Sequence, residues 1–280
     1  MKNPFFSVII PTYNRKDFLP IAIGSVLNQS YTNYELIIVD DGSDDKTKTM
    51  IKRLYNNNKN ISYIYQRHQG VSSARNKGLL KAKGKFISFL DSDDRFLKNK
   101  LLIFHDHIRK HPKYKIFYSE EIWYRNGKIF SQKAHHKKSS GFIFSHSLKL
   151  YSVGLSTAAF SQDIFKKIGY FDKNLPTCED YDLLLRVSSS YPIFLIPEYL
   201  TIKEGGHPDQ LSKKYPAMDK FRIYALEKIL KSKNLSISDY QLAYQELKTK
   251  CDIYIKGAIK RGKNAEINYY NNLCKNLLIN

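Results

Sequence analysis

GVSSARNKGLLKAKGKFISFLDSDD, residues 70–94, passes from a helical pattern into a strand and ends in carboxylates. Leu79, Leu80 and Ala82 give its first part, about 72–83, an apolar stripe at helical spacing. FISFL (86–90) is a short aromatic and branched run with little alternation, the pattern of a strand covered on both faces. Asp91, Asp93 and Asp94 follow at once, three carboxylates within four residues.

The same alternation precedes this stretch. FSVII (6–10), ELIIV (35–39) and ISYIY (61–65) read as strands, and Phe18, Ala22, Val26 and Gln29 beside Leu19, Ile23 and Leu27 mark a helix between the first two. Strand and helix in repeated succession predict an α/β, Rossmann-like domain: a mainly parallel sheet flanked by helices, with right-handed crossovers. In open parallel sheets ligands bind beyond the carboxyl ends of the strands. Those ends are PTYN (11–14), DDGSDD (40–45) and DSDD (91–94), so all three face one rim. Carboxylates from two strands gathered there repel unless a cation lies between them, and a divalent ion with oxygen ligands is the simplest candidate. Asp after a strand also caps helices and forms turns, which is the reading for Asp44 and Asp45 ahead of a helix near Lys46.

A chain of 280 residues with 42% hydrophobic residues can bury a large core. Its 46 Lys and Arg against 26 Asp and Glu leave a net charge of +20. The excess concentrates in two stretches, with twelve basic and three acidic residues in 98–149 and fourteen against six in 213–275. No compact basic and aromatic motif accompanies it, so nucleic acid is not an expected partner; an anionic membrane face is. Cys178, Cys251 and Cys274 lie far apart with no C-x-x-C spacing, which indicates neither a disulfide framework nor a zinc site and suits a reducing cytosol. The N-terminal apolar stretch is too short for a signal sequence and is broken by Pro11, and no run reaches the length of a membrane span. The expected location is cytoplasmic, with peripheral docking on the cytoplasmic membrane face.

Beyond residue 96 the pattern predicts a helix over 97–110, a strand at IFYS (116–119), and a hairpin turn at Asn126-Gly127. His135-His136 point apart in helix or strand and form no metal pair. Residues 175–192 predict a helix opening at Thr177 or Cys178, whose start gathers Glu179, Asp180 and Asp182 near the positive end of the dipole. IFLI (193–196) is a further strand, and KEGGHPDQLS (203–212) reads as a glycine-rich loop carrying His207. From about Pro216 the texture turns to lysine-rich helices, which divides the chain into a domain at 1–212 and a C-terminal α-helical appendage of two or three helices at 213–280.

SVIIPTYNR (7–15), ELIIVDDGSDD (35–45), residues 70–94 and CEDYDLLLRV (178–187) resemble, in order and interval, the signature segments of family 2 glycosyltransferases of the GT-A fold. The resemblance spans roughly residues 5–212. It implies an inverting transferase that moves a sugar from a nucleoside-diphosphate sugar, with UDP the expected nucleotide, to a hydroxyl of a carbohydrate or lipid-linked acceptor in surface polysaccharide or glycolipid synthesis. Pro11, Thr12 and Tyr13 are then expected at the base, Asp41 at the pyrimidine edge with Asp40 behind it, and Arg75 beside the nucleotide. Asp91-Ser92-Asp93 corresponds to the D-x-D element that holds Mn2+ or Mg2+ on the diphosphate. Asp94 leaves open which oxygen meets metal and which meets ribose. His207 is expected as a further metal ligand or phosphate contact. Glu179-Asp180 corresponds to the family's Glu-Asp element, with Asp180 the catalytic base and Glu179 its reserve.

The chemistry asks for these residue types independently. Displacing a diphosphate builds negative charge that a metal can neutralise, and a weakly nucleophilic hydroxyl needs a carboxylate to take its proton. A nucleotidyltransferase is the rival enzyme, but PTYNRKDF lacks the glycine-rich phosphate loop expected there, and neither G-x-G-x-x-G nor a Walker A loop occurs. A non-catalytic nucleotide-sugar-binding or scaffold module is the other rival; it has no use for Asp180.

Overall fold

The computed structural model describes residues 3–130, 137–149, 152–206, 214–215 and 217–278. The four early apolar runs form β1 (Phe6–Thr12), β2 (Tyr34–Asp40), β3 (Ile61–Tyr65) and β4 (Phe86–Phe89), all parallel, with β1 between β2 and β4. Helices α1 (Leu19–Leu27), α2 (Thr47–Tyr55) and α3 (Val71–Lys81) connect them. Alternate residues of each strand enter opposite cores. Val8, Ile10, Leu36 and Ile38 pack with Leu19, Ile23 and Ile51, whereas Ile9, Ile37 and Val39 pack with Ala74 and Leu79. Burial on both faces is why β1, β2 and β4 read as unbroken apolar runs, whereas β3, at the sheet edge, is only partly buried.

The sheet continues as β8 (Ala158–Ser161), β6 (Ile116–Arg125), β9 (Ile193–Gly205) and β5 (Arg95–Phe96), in the order β3-β2-β1-β4-β8-β6-β9-β5, with β7 (Lys128–Phe130) on β6. The β4–β8, β8–β6 and β9–β5 pairings are antiparallel, and β6 runs parallel to β9. Asn126 and Gly127 turn from β6 to β7 with φ of 51° and 74°, as a tight hairpin requires. Helix α4 (Lys100–Lys110) covers one face; α6 (Gln162–Ile168) and α7 (Glu179–Ser188) join α3 on the other.

Three local readings change. Leu80 is 69% exposed, and the buried side of α3 is made by Ala74, Gly78 and Leu79. A Cβ on Gly78 would stand 2.5 Å from Ile9 Cγ2, so the helix lies directly on β1. Lys203–Gly205 belong to β9 and not to a loop, because pairing with β6 continues to Arg125↔Gly205 past a bulge at Ser119 to Glu121. Of the two expected caps, Asp45 does accept from the Thr47 backbone at 3.1 Å, while the Asp44 side chain is exposed. His207 and the His135-His136 pair lie outside the described residues.

Helices α5 (Phe144–Lys149), α8 (Asp219–Lys231), α9 (Ile237–Ile259) and α10 (Asn264–Asn276) complete the fold. Leu226, Leu230, Leu247 and Cys251 of the C-terminal helices share a core with Phe144, Leu148, Tyr181 and Leu185. The tail thus braces α7, the helix that opens with Glu179 and Asp180.

Candidate active site

The strand ends meet on one rim as the parallel order requires. Pro11 and Thr12 close β1 in buried positions, and Tyr13 emerges 41% exposed. Asp40, fully buried at the end of β2, accepts from the Ser43 backbone at 2.8 Å and from the Tyr63 hydroxyl at 2.5 Å. Asp41 ties the rim to the segment before α3. Its carboxylate accepts from Gln66 Nε2 at 2.6 Å and from the backbone N–H groups of Gln69 at 2.9 Å and Gly70 at 2.8 Å. His68 Nδ1 lies 2.8 Å from the same carboxylate, and its ring stacks on Tyr13.

Arg75 joins the two acidic elements that the chain holds far apart. From α3, its Nη2 donates to Asp91 Oδ1 at 2.8 Å while Nη1 donates to the Glu179 carboxylate. The guanidinium also stands over the Phe171 ring, 5.4 Å from its centroid. Burial opposes its charge, but Glu179 and Asp91 outweigh burial and push its pKa up. Behind the loop, Ser156 Oγ accepts the Asp91 N–H at 3.1 Å, and buried Lys100 donates to the Ser156 carbonyl at 2.5 Å and to Thr201 Oγ1 at 2.7 Å.

The three loop carboxylates are not equivalent. Burial acts to raise Asp91, but Arg75 and Lys203 prevail and hold it below the ordinary range. Asp93 is pushed up by burial and by Asp91, against the pull of Arg15 and Lys203. Asp94 is pushed up to about 8, chiefly by burial; neighbouring Asp91 and Asp93 add to this against the pull of Lys203. Asp94 Oδ1 accepts from the Glu204 N–H at 3.1 Å, while Oδ2 is buried without a hydrogen-bond partner. Ser92 is buried between them.

Across the mouth, Cys178 adopts a left-handed conformation (φ 60°) and starts α7 at Glu179. Burial lifts Glu179 to about 7, Arg75 drawing it down and Asp180 pushing it up. Asp180 is only half-buried, and its Oδ1 accepts from the Tyr181 N–H at 2.7 Å. Arg75 and Lys203, the cations that act on Asp91, also feel its charge.

Two further side chains belong to this site that no motif in the sequence marks, Lys203 and His68. Lys203, on β9, is the cation drawn upward by Asp94, Glu121, Asp91 and Asp180 against the effect of its burial. The run YLTI (199–202) before it was a usable strand signal. His68 had none, since its partners come from β1 and β2 through folding.

A family model described as glycosyl transferase family 2 matches residues 7–169. The chain belongs to glycosyltransferase family 2. An uncharacterized glycosyltransferase of Rickettsia typhi is 36% identical over 206 residues, covering 68% of this chain and 61% of that one. The putative colanic acid biosynthesis glycosyl transferase WcaA of Escherichia coli K12 is 30% identical over 190 residues, 68% of each. The chain spans less than two thirds of its first relatives, 61% of the Rickettsia typhi protein and 26% of one from Rickettsia bellii. Staphylococcus aureus TarS 1–349 in complex with UDP-GlcNAc superposes with a TM-score of 0.72 at 22% identity, over 86% of this chain and 70% of that one. Mannosyltransferase PcManGT of Pyrobaculum calidifontis, in complex with GDP-Man and Mn2+, gives 0.66 at 14%, over 92% and 76%. At these identities the likeness is one of fold, the GT-A architecture.

In this family 2 glycosyltransferase, no three His, Cys, Asp or Glu side chains among the described residues form a metal-holding group. The residues present nonetheless fit a divalent ion. Hard cations of the Mg2+ type are often held by one or two carboxylates, with substrate phosphates completing the shell. Asp91 and Asp93 offer such oxygens, and a cation between them would offset the push that Asp91 exerts on Asp93.

Asp94 makes a pH test available. A carboxyl raised from 3.8 to about 8 on folding binds more protons in the folded than in the unfolded chain between those values, so its contribution to stability declines as pH rises through that window. Asp94→Asn removes that decline. The melting temperature of the variant minus that of the parent is expected to grow steadily from pH 5 to pH 8; a flat difference would show that Asp94 ionises normally.

Proposed function

We propose that this protein is an inverting glycosyltransferase that transfers a sugar from a nucleoside-diphosphate sugar, with UDP as the nucleotide, to an acceptor hydroxyl in surface polysaccharide or glycolipid synthesis. One observation carries it: Arg75 bridges Asp91, on the strand-end rim, to Glu179, the neighbour of half-buried Asp180. Pro11, Thr12 and Tyr13 receive the base, with Asp41 at its edge and Asp40 fixing the loop; Arg75, Asp91 and Ser92 face ribose and diphosphate. Asp91 and Asp93, with His207 as a further ligand, hold Mn2+ or Mg2+, which supplies neutralisation of the charge on the leaving diphosphate. Residues 1–212 form the catalytic unit and residues 213–280 brace α7.

Asp180 takes the acceptor hydroxyl's proton as its oxygen forms the new bond to the anomeric carbon. The bond to the diphosphate breaks on the opposite side, its electron pair leaves with the diphosphate, and the anomeric configuration inverts. Arg75 and Lys203 add fixed positive charge where negative charge develops. The UDP-GlcNAc complex of TarS supports a UDP-linked donor, the Mn2+ complex of PcManGT a divalent ion, and the colanic acid role named for WcaA a polysaccharide product. No helix among the described residues is long and apolar enough to cross a membrane, which accords with a cytoplasmic protein docking on anionic lipid from the side.

A panel of nucleotide sugars tested by thermal shift and calorimetry, with and without Mn2+, checks this reading. The expected result is Mn2+-dependent binding of a UDP-sugar and its slow hydrolysis without acceptor. Absence of binding across the panel in both conditions would overturn it.

A further inference from the structure

We infer that the His68 imidazole occupies the base subsite of the free protein as a stand-in for the donor's base, and that a donor enters by displacing it. The inference rests on the nucleotide-binding role proposed for Tyr13 and Asp41. Both features that would recognise a pyrimidine, an aromatic face and an acceptor, are engaged by this one ring. It lies on Tyr13 with centroids 4.1 Å apart and planes 24° from parallel. Its Nδ1 is 2.8 Å from Asp41 Oδ2 and 3.1 Å from the Asp41 carbonyl oxygen. Carboxylate and carbonyl oxygens only accept, so Nδ1 carries the hydrogen and presents the planar N–H donor that a base would present.

Exposure identifies the group that yields. The Asp41 side chain is 5% exposed and that of His68 51%, so the acceptor is sealed and its cover faces solvent. The other donors to the Asp41 carboxylate are buried Gln66 and the backbone amides of Gln69 and Gly70, which are fixed in place. The His68 backbone is fixed as well: a Cβ on Gly42 (φ +87°) would lie 2.7 Å from His68 N, so the two segments are pressed together. Only the ring can move, by rotation about its side-chain bonds, which for an exposed residue is fast compared with catalysis. An incoming uracil replaces the stack and the hydrogen bond one for one, and its net affinity is reduced by what His68 gives up.

Calorimetry with UDP on the parent and on His68→Ala reads this cost. The variant is expected to bind UDP about tenfold more tightly, equivalent to about 1.4 kcal/mol. In 13C-histidine-labelled protein, the His68 ring signals, assigned by their loss in the variant, are expected upfield in the free state and at solvent-exposed positions with saturating UDP. Equal or weaker binding by His68→Ala, or signals that stay upfield at saturation, overturns the inference while leaving the nucleotide site intact. Failure of both proteins to bind UDP removes the nucleotide reading and this inference together.

Discussion

Asp180→Asn is expected to leave UDP-sugar affinity nearly unchanged and to lower turnover by about a hundred- to ten-thousandfold, the usual contribution of a positioned general base. Asparagine keeps the size of the side chain and the oxygen that accepts the Tyr181 N–H, so α7 starts as before. What disappears is the capacity to take a proton. Asp180 suits that task better than its neighbour: it is half-buried in the first turn of α7, whereas Glu179 is sealed against Arg75. Donor calorimetry beside single-turnover assays of transfer, or of hydrolysis where the acceptor is unidentified, separates binding from chemistry. Parallel loss of both would assign Asp180 to the donor site instead.

Arg75→Met is expected to cost about 3–5 kcal/mol, because removing the cation from a buried ion pair strands its partner. That cost falls on Glu179, whose side chain is 5% exposed. Its carboxyl, already lifted to about 7 by burial even beside Arg75, sheds its charge by taking up a proton at lower pH, so the loss is read at alkaline pH. Asp91, at 33%, can recruit water and contributes less. For a chain of this size each kcal/mol lowers the melting temperature by about 2–4 °C, so a fall of roughly 10 °C is expected. Adding Glu179→Gln to Arg75→Met removes the stranded charge and is expected to recover much of the loss without recovering activity. A melting temperature within about 2 °C of the parent for the single variant would mean that the bridge does not hold the mouth together.

The parallel half of the sheet was legible in advance because its signals are local. Runs such as FSVII and FISFL carry their own burial pattern, the helix between β1 and β2 carries its stripe, and the Asn126-Gly127 turn carries its own backbone preference. The clustering of strand-end carboxylates on one rim followed from topology alone. The tail helices could be read from their apolar spacing, though not the surface they cover, Phe144, Leu148, Tyr181 and Leu185.

Charge pairing was the part that local pattern could not supply. The acidic rim called for positive charge, and the chain itself provides Arg75 from α3 and Lys203 from β9, with Arg15 acting on Asp93. Arg75 had been placed beside the nucleotide from its motif, but nothing in that motif pairs it with Glu179, more than a hundred residues away. Lys203 reaches the rim only because β9 continues alongside β6, and His68 meets Tyr13 and Asp41 only because β1, β2 and β3 lie side by side. Strand and helix are decided by neighbours along the chain, where burial repeats with a fixed period. The partner of a buried charge is decided by distance in space, which exists only once the sheet has brought α3, α7 and β9 to the same mouth.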